Sequence, residues 1–233
     1  MADRLSSRCR GKEEVEVHPS ISKLLSIASD SINCIIDDVL LFSYLREWGP
    51  LGKELAELLI QRNGFYAFES SLLVRPFQHD YSPLGLLQWN DDDLWKGQYA
   101  EDLSDVLFFA EDVFGGQFCI QGEKIFSFDP ETGQMDAMSS SIDDWANNLV
   151  ADYEFRTGYP LAHAWQIENS PLPPGMRLLP KTPFVCGGEY HIGNLYPLND
   201  VEGMRFRAII ANQIRDLPDG AQIIIDTDTK RGT

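Results

Sequence analysis

The sequence lacks the residues from which several common functional classes are built. Its four cysteines, Cys9, Cys34, Cys119 and Cys186, are scattered with no short spacing between any two. That pattern excludes a zinc ribbon and a disulfide-dense scaffold and leaves reduced thiols as the expectation. The four histidines, His18, His79, His163 and His191, are as dispersed, and none has a neighbour at metal-ligand spacing. A Gly-x-Ser-x-Gly elbow, a His-Glu-x-x-His helix, a glycine-rich nucleotide loop and any internal repeat are missing. No run approaches the roughly 18 consecutive apolar residues of a membrane span. Met1–Gly11 holds Arg4, Arg8 and Arg10, but no apolar stretch of signal-peptide length follows. A soluble, cytoplasmic protein with no cofactor is expected.

Positive charge is also scarce. Nineteen basic residues face 36 acidic ones, a formal net charge of −17. Phosphate neutralisation by Lys and Arg supplies most of the affinity for nucleic acid, so direct nucleic-acid binding is excluded, and an anionic membrane surface is equally unsuited. What is present is ordinary for a folded protein: 43% hydrophobic, 11% aromatic and 24% charged residues, enough to bury a core and too apolar for wholesale disorder.

Residues 1–20 pass from basic to acidic with few large apolar groups and read as a flexible leader. From Ile32 to Trp48, the residues Ile32, Ile35, Ile36, Val39, Leu40 and Leu45 fall near helical spacing, and Gly49-Pro50 stops the run. Leu51, Leu55, Leu58 and Leu59 form the stripe of a second helix, ended by Asn63-Gly64. Short β-like runs follow at 65–68, 72–74, 106–109, 117–120, 124–128 and 134–138. Gly115-Gly116, Gln121-Gly122 and Asp129-Pro130-Glu131-Thr132-Gly133 join the last four closely enough for an antiparallel meander. Ser140 and Asp143 signal a closing helix bearing Ile142, Trp145, Leu149 and Tyr153, which ends before Gly158. The Pro-rich stretch 169–175 marks a boundary. Beyond it, 184–186 and 190–192 predict a hairpin, Asn199 and Glu202 cap a helix with Phe206, Ile210, Ile214 and Leu217 on one face, and 222–225 predicts a last strand. The expected domains are a core over 21–168 and a small C-terminal α/β extension over 169–233 packed on it.

No nucleophile stands out; Cys119 lies in the apolar run Phe118-Cys119-Ile120 and reads as a small buried hydrophobe. Carboxylates are the residues available to an enzyme. Asp91-Asp92-Asp93 could ligate a divalent cation, and Asp129, Glu131 and Asp136 form a loose oxygen-ligand set that a hairpin turn explains as well. The distribution of acid says more. Between Asp91 and Asp152, fifteen acidic residues face only Lys96 and Lys124, which accounts for thirteen of the seventeen excess charges. Such a block raises solubility, or steers a basic partner. Interleaved Trp89, Trp95, Tyr99 and Phe114 would supply desolvated anchors for the second use; core packing is the competing use of the same rings.

The order of these pieces carries a resemblance. A helical entry, Asn63-Gly64-Phe65-Tyr66-Ala67-Phe68-Glu69-Ser70, a Trp89 region, Phe109-Ala110-Glu111-Asp112 with Gly115-Gly116-Gln117-Phe118, Phe128-Asp129-Pro130-Glu131-Thr132-Gly133 and a Ser-rich entry to a helix carrying Trp145 together resemble the SUKH superfamily over roughly residues 35 to 155. That superfamily includes bacterial toxin-immunity proteins and a fungal regulator of cell-wall synthesis. The resemblance implies an α+β fold, a curved and mainly antiparallel sheet packed by helices, and a binding role with no catalytic residues. The expected partner is a cognate, basic protein toxin that targets nucleic acid. Candidates for the binding surface are a rim of Asp91, Asp92, Asp93, Glu101, Asp102, Asp105, Glu111 and Asp112 with Trp89, Trp95 and Phe114 as anchors. An intracellular scaffold or regulatory module and a carboxylate and divalent-metal hydrolase are the alternatives. The tail with Arg205, Arg207 and Arg215 lies outside the pattern, and an exposed helix face is the expectation for these arginines.

Overall fold

The computed structural model describes residues 18–218, 220 and 221. Three helices come first: α1 (Pro19–Ser26), α2 (Asp38–Leu45) and α3 (Gly49–Gln61). Asp37 opens α2 by accepting the Leu40 N–H at 3.0 Å. Gly49-Pro50 both closes the 3-10 turn Arg46–Trp48 and starts α3, because Gly49 takes φ +59° and Pro50 fits a first turn that needs no N–H. The chain then runs through β1 (Phe65–Ala67), β2 (Leu72–Val74), α4 (Leu86–Trp89), β3 (Leu107–Asp112), β4 (Gln117–Gln121), β5 (Lys124–Phe128) and β6 (Met135–Ser139). The six strands form one sheet in chain order, every neighbouring pair antiparallel. The predicted meander is there, its ends within one residue of those expected except that β3 runs on from Phe109 to Asp112. Gln121 pairs with Lys124, so Gly122 and Glu123 alone make that turn, and Gly122 adopts φ +58°, which costs a residue with a Cβ.

Alternation along the strands gives the sheet two buried faces. Phe65, Leu72, Val74, Phe109, Phe118, Ile120 and Ile125 point to the first, where α1, α3 and α5 (Ile142–Ala151) cover them. Trp145 of α5 meets Phe109 and Phe118 edge-on at ring separations of 5.0 and 5.8 Å. Phe108, Cys119 and Phe128 point to the second face. A bulge in β3 decides where the polar residues fall: Phe108 pairs with Cys119 and Ala110 with Phe118, so Phe109 is an extra residue. A shift of one residue exchanges the faces of everything after it, and it carries Glu111 to the second face, opposite Gln117.

After α5 come α6 (Tyr153–Thr157), α7 (Tyr159–Glu168), a two-stranded antiparallel hairpin of β7 (Met176–Pro180) and β8 (Leu195–Asn199), and α8 (Asp200–Ile214). The fold is therefore α+β: a six-stranded antiparallel sheet with helices, followed by a C-terminal hairpin and helix. Asn199 caps α8 as expected, accepting the Val201 and Glu202 N–H groups. Met204, Ala208 and Ala211 of α8 then pack onto the second face of the sheet against the cluster of Phe108 and Phe128.

Several expectations are corrected. The first helix begins at Asp38 rather than Ile32, because Ile32 and Asn33 donate their N–H groups to the carbonyls of Gly64 and Asn63 and are held as a loop. Leu41 and Leu45 are buried, whereas Ile35 and Val39 are 81% and 82% exposed. The leader ends earlier than residue 20: α1 starts at Pro19, and Ser20 and Ile21 donate to Asp143 of α5. The cap of α5 is Ser141 with Asp144, one residue on from the predicted pair, and Asp152 breaks that helix before Tyr153. Residues 184–186 and 192–194 are 3-10 turns inside the connection between β7 and β8, not a hairpin of their own. In α8 the buried face is Gly203, Met204, Arg207, Ala208, Ile210 and Ala211, and Leu217 is exposed. The strand predicted at 222–225 lies outside the described residues.

Trp95 has no exposed surface and touches four aromatic rings. Trp95→Ala is expected to lower the urea unfolding free energy by about 3–5 kcal/mol; a loss under about 1 kcal/mol would contradict its place in the second-face core.

Candidate functional site

Between α4 and β3, residues 90–106 cross the second face of the sheet as an arm. Asn90 fixes its start, since its side chain accepts the Phe108 N–H and donates to the Phe108 and Leu86 carbonyls. Trp95, Tyr99, Leu103 and Val106 turn into the core, and Tyr99 Oη donates to the Pro130 carbonyl at 3.0 Å. The carboxylates turn the other way. Asp91, Asp92, Asp93, Asp102 and Asp105 are exposed and Glu101 is half-buried, so six of the predicted rim residues share the outer side of one segment. Asp92 is partly neutralised by Lys96 at 3.3 Å, whose buried ammonium also donates to the Val106 carbonyl. Asp91 and Asp102 each accept the N–H two residues on, as turn formers do.

The tryptophans are not anchors on this surface. Trp89 is buried with the Arg75 guanidinium 3.3 Å above its ring centre, and its Nε1 donates to Gln117 Oε1 at 3.0 Å. Glu111 is not a rim residue either. It is fully buried between two arginines, with Oε2 at 2.9 Å from Arg75 Nη2 and Oε1 at 2.6 Å from Arg177 Nε. Arg75 also reaches Asp200 at 3.1 Å, and Gln117 donates to Glu111. Two cations and two anions from β3, β7, the start of α8 and the residue after β2 thus close a buried network across the sheet and the C-terminal unit.

Asp112 and Phe114 belong to a third place, a cleft of about 790 Å³. The β3–β4 turn, the Asp129–Gly133 turn, the chain around Phe155 and the Phe184–Tyr190 segment surround it. Phe114 meets Phe184 edge-on at 5.4 Å, and Phe184 stacks on Tyr190 at 4.0 Å. Phe155 and Tyr190, at 84% and 67% exposure, stand at its mouth. Arg207 lines its interior and is 3% exposed, which corrects the expectation of an exposed helix face for that arginine. Tyr99 bonded to Pro130 ties the acidic arm to the turn that lines the cleft.

No family model matches the chain, and no curated protein does. Among solved structures, the crystal structure of Atu4351 from Agrobacterium tumefaciens is similar, with a TM-score of 0.55 and 11% identity over 79% of this chain and 86% of that one. At that identity the likeness bears on the fold alone. No helix among the described residues is long and apolar enough to cross a membrane. Among the described residues, no group of three His, Cys, Asp or Glu side chains is placed to hold a metal ion. The Asp129 carboxylate is spent on its own turn, accepting from Glu131 N and Thr132 Oγ1.

The buried carboxyls titrate in opposite directions. For Glu111, burial alone would raise the pKa, but Arg75, Arg177 and the Gln117 hydrogen bond overcome it and hold the group at about 2. For Asp112, burial wins over the Gly116 and Phe114 N–H groups and over Arg207, and the pKa rises to about 7. Burial likewise raises Glu131, against the pull of the Val185 N–H and of Arg207. Arg75, Arg177, Arg207 and Asp200 escaped the sequence reading because isolated charges read as surface. The cue that was there is Glu111-Asp112 ending a wholly apolar strand.

These directions fix the pH dependence. Glu111 stabilises the fold above its ordinary pKa of 4.5, and that contribution is lost as pH falls through about 2. Asp112 acts the other way: its contribution is largest below its ordinary 3.8 and is lost as pH rises through about 7. Asp112→Asn should therefore gain unfolding free energy relative to the natural protein by up to about 4 kcal/mol between pH 4 and pH 8. A constant difference in urea titrations across that range would contradict a half-buried, proton-holding Asp112.

Proposed function

We propose that this chain is a non-catalytic binding protein of the toxin-immunity kind, which captures a basic protein toxin through its acidic arm. The observation that carries the reading is the division of labour along residues 90–106: aromatic and aliphatic side chains go inward while Asp91, Asp92, Asp93, Asp102 and Asp105 stay in water. An arm fixed to a sheet through Trp95 and Tyr99 presents its charges at set positions, so they add to a directed field. A toxin that handles nucleic acid must carry Lys and Arg where phosphates bind. An acidic surface docking there competes for the same groups, and inhibition follows from occupancy and charge without any bond being made or broken. The SUKH resemblance supports this reading, and the net charge of −17 supports it independently.

The partner to test is the basic product of a neighbouring reading frame, purified and mixed with this protein in stopped flow. Asp93 and Asp105 are exposed and make no side-chain hydrogen bond or ion pair among the described residues, so reversing them leaves the arm's own turns intact. Asp93→Lys with Asp105→Lys should slow association about tenfold at low salt and flatten its dependence on ionic strength. An unchanged association rate would remove the arm from the binding surface.

A further inference from the structure

Arg207 is buried in the wall of the cleft, yet among the described residues its Nε has no hydrogen-bond partner and no carboxylate lies within ion-pair distance of it. A buried guanidinium nitrogen without a protein acceptor is costly, and it draws its acceptor from what enters the cleft, water or a ligand. The position is built for it. Gly115 has φ +79°, and a Cβ there would come within 2.9 Å of Arg207 Nη1, so the guanidinium lies against a backbone that only glycine leaves open.

Acceptors of protons from a ligand are close by. Asp112 spends one oxygen, Oδ1, on both the Phe114 and Gly116 N–H groups at 2.8 Å, which leaves Oδ2 for a donor in the cleft. Glu131 meets the Val185 N–H with Oε2 at 2.8 Å and also lines the cleft. The walls are rings: Phe114, Phe184 and Tyr190 on one side, Phe155 at the mouth. A volume of about 790 Å³ is within the range of small-molecule sites, which are mostly apolar with a few convergent polar groups.

We propose that this cleft binds a small amphoteric molecule of the α-amino-acid class, with its carboxylate on Arg207, its ammonium on Asp112 and Glu131, and an aromatic or aliphatic body between the rings. Neither charge suffices alone. Above about pH 7, where Asp112 is ionised, a simple anion meets Arg207 but also faces that carboxylate. A simple cation meets the carboxyls but leaves Arg207 without its acceptor. A molecule carrying both groups satisfies all three side chains, and this site is independent of the toxin-binding reading of the arm.

The test follows the amide resonances of Gly115, Gly116 and Val185 in the full chain during titration with L-phenylalanine, L-tyrosine and L-leucine. Saturable shifts are expected below about 10 mM, with 3-phenylpropionate and phenethylamine, which each lack one charge, binding at least about tenfold more weakly. Phe155→Ala removes an exposed ring that the fold does not need and should weaken binding about tenfold; Arg207→Met should abolish the preference for the zwitterion over phenethylamine. Absence of saturable shifts with all three amino acids at about 10 mM, or equal binding of phenethylamine and L-phenylalanine, would overturn the proposal.

Discussion

The buried charge network of Arg75, Glu111, Arg177 and Asp200 is the interaction on which the rest of the structure depends. None of these side chains has more than a trace of exposed surface, and the two positive and two negative groups balance. Desolvating four charges costs more than any single contact between them returns, so the network is tolerable only when complete. Completeness requires the sheet and the C-terminal unit together. Arg75 and Glu111 come from the sheet, while Arg177 comes from β7 and Asp200 from the first turn of α8. Without the hairpin and α8, Glu111 would be left beside Arg75 alone, in a face of the sheet that Met204, Ala208 and Ala211 no longer covered.

The same network positions both surfaces of interest. Gln117 passes from Glu111 to Trp89, and Trp89 packs on Trp95, the residue that roots the acidic arm. Two turns along α8 from Asp200 and one from Gly203, Arg207 reaches the cleft, and Asp112, the residue after Glu111, lines it. The polar residues of the second face thus form a chain from arm to cleft, and Trp89 and Trp95, expected as partner anchors, are instead what holds the charged surface in place.

The meander was legible because short β-like runs are separated by turns of glycine or Asp-Pro chemistry; β2 and β5 have the predicted limits. The α8 cap was legible for the same local reason. What was hidden is long-range. A bulge at Phe109 leaves no mark in the sequence, yet it decides that Glu111 lies on the second face among arginines and not on the first among the apolar residues under α1, α3 and α5. The α2 segment is apolar on every side, so periodicity could not choose its face, and Ile35 and Val39 proved exposed while Leu41 was buried. For the candidate surface, Asp91, Asp92, Asp93, Asp102 and Asp105 are exposed, as carboxylates ordinarily are, desolvation being costly. Trp89, Trp95 and Glu111 were misplaced, because a sheet buried on both faces absorbs rings and charges that a sheet with one wet face would display.

A double-mutant cycle on Glu111→Leu and Arg177→Met, read by urea unfolding, tests the dependence on the network most directly. Each single substitution leaves buried charge unpaired and should cost about 3–5 kcal/mol, while the double variant should cost less than their sum by about 2 kcal/mol or more. Additivity within about 0.5 kcal/mol would mean that the two residues do not sense each other, which would contradict the network as the tie between the sheet and β7.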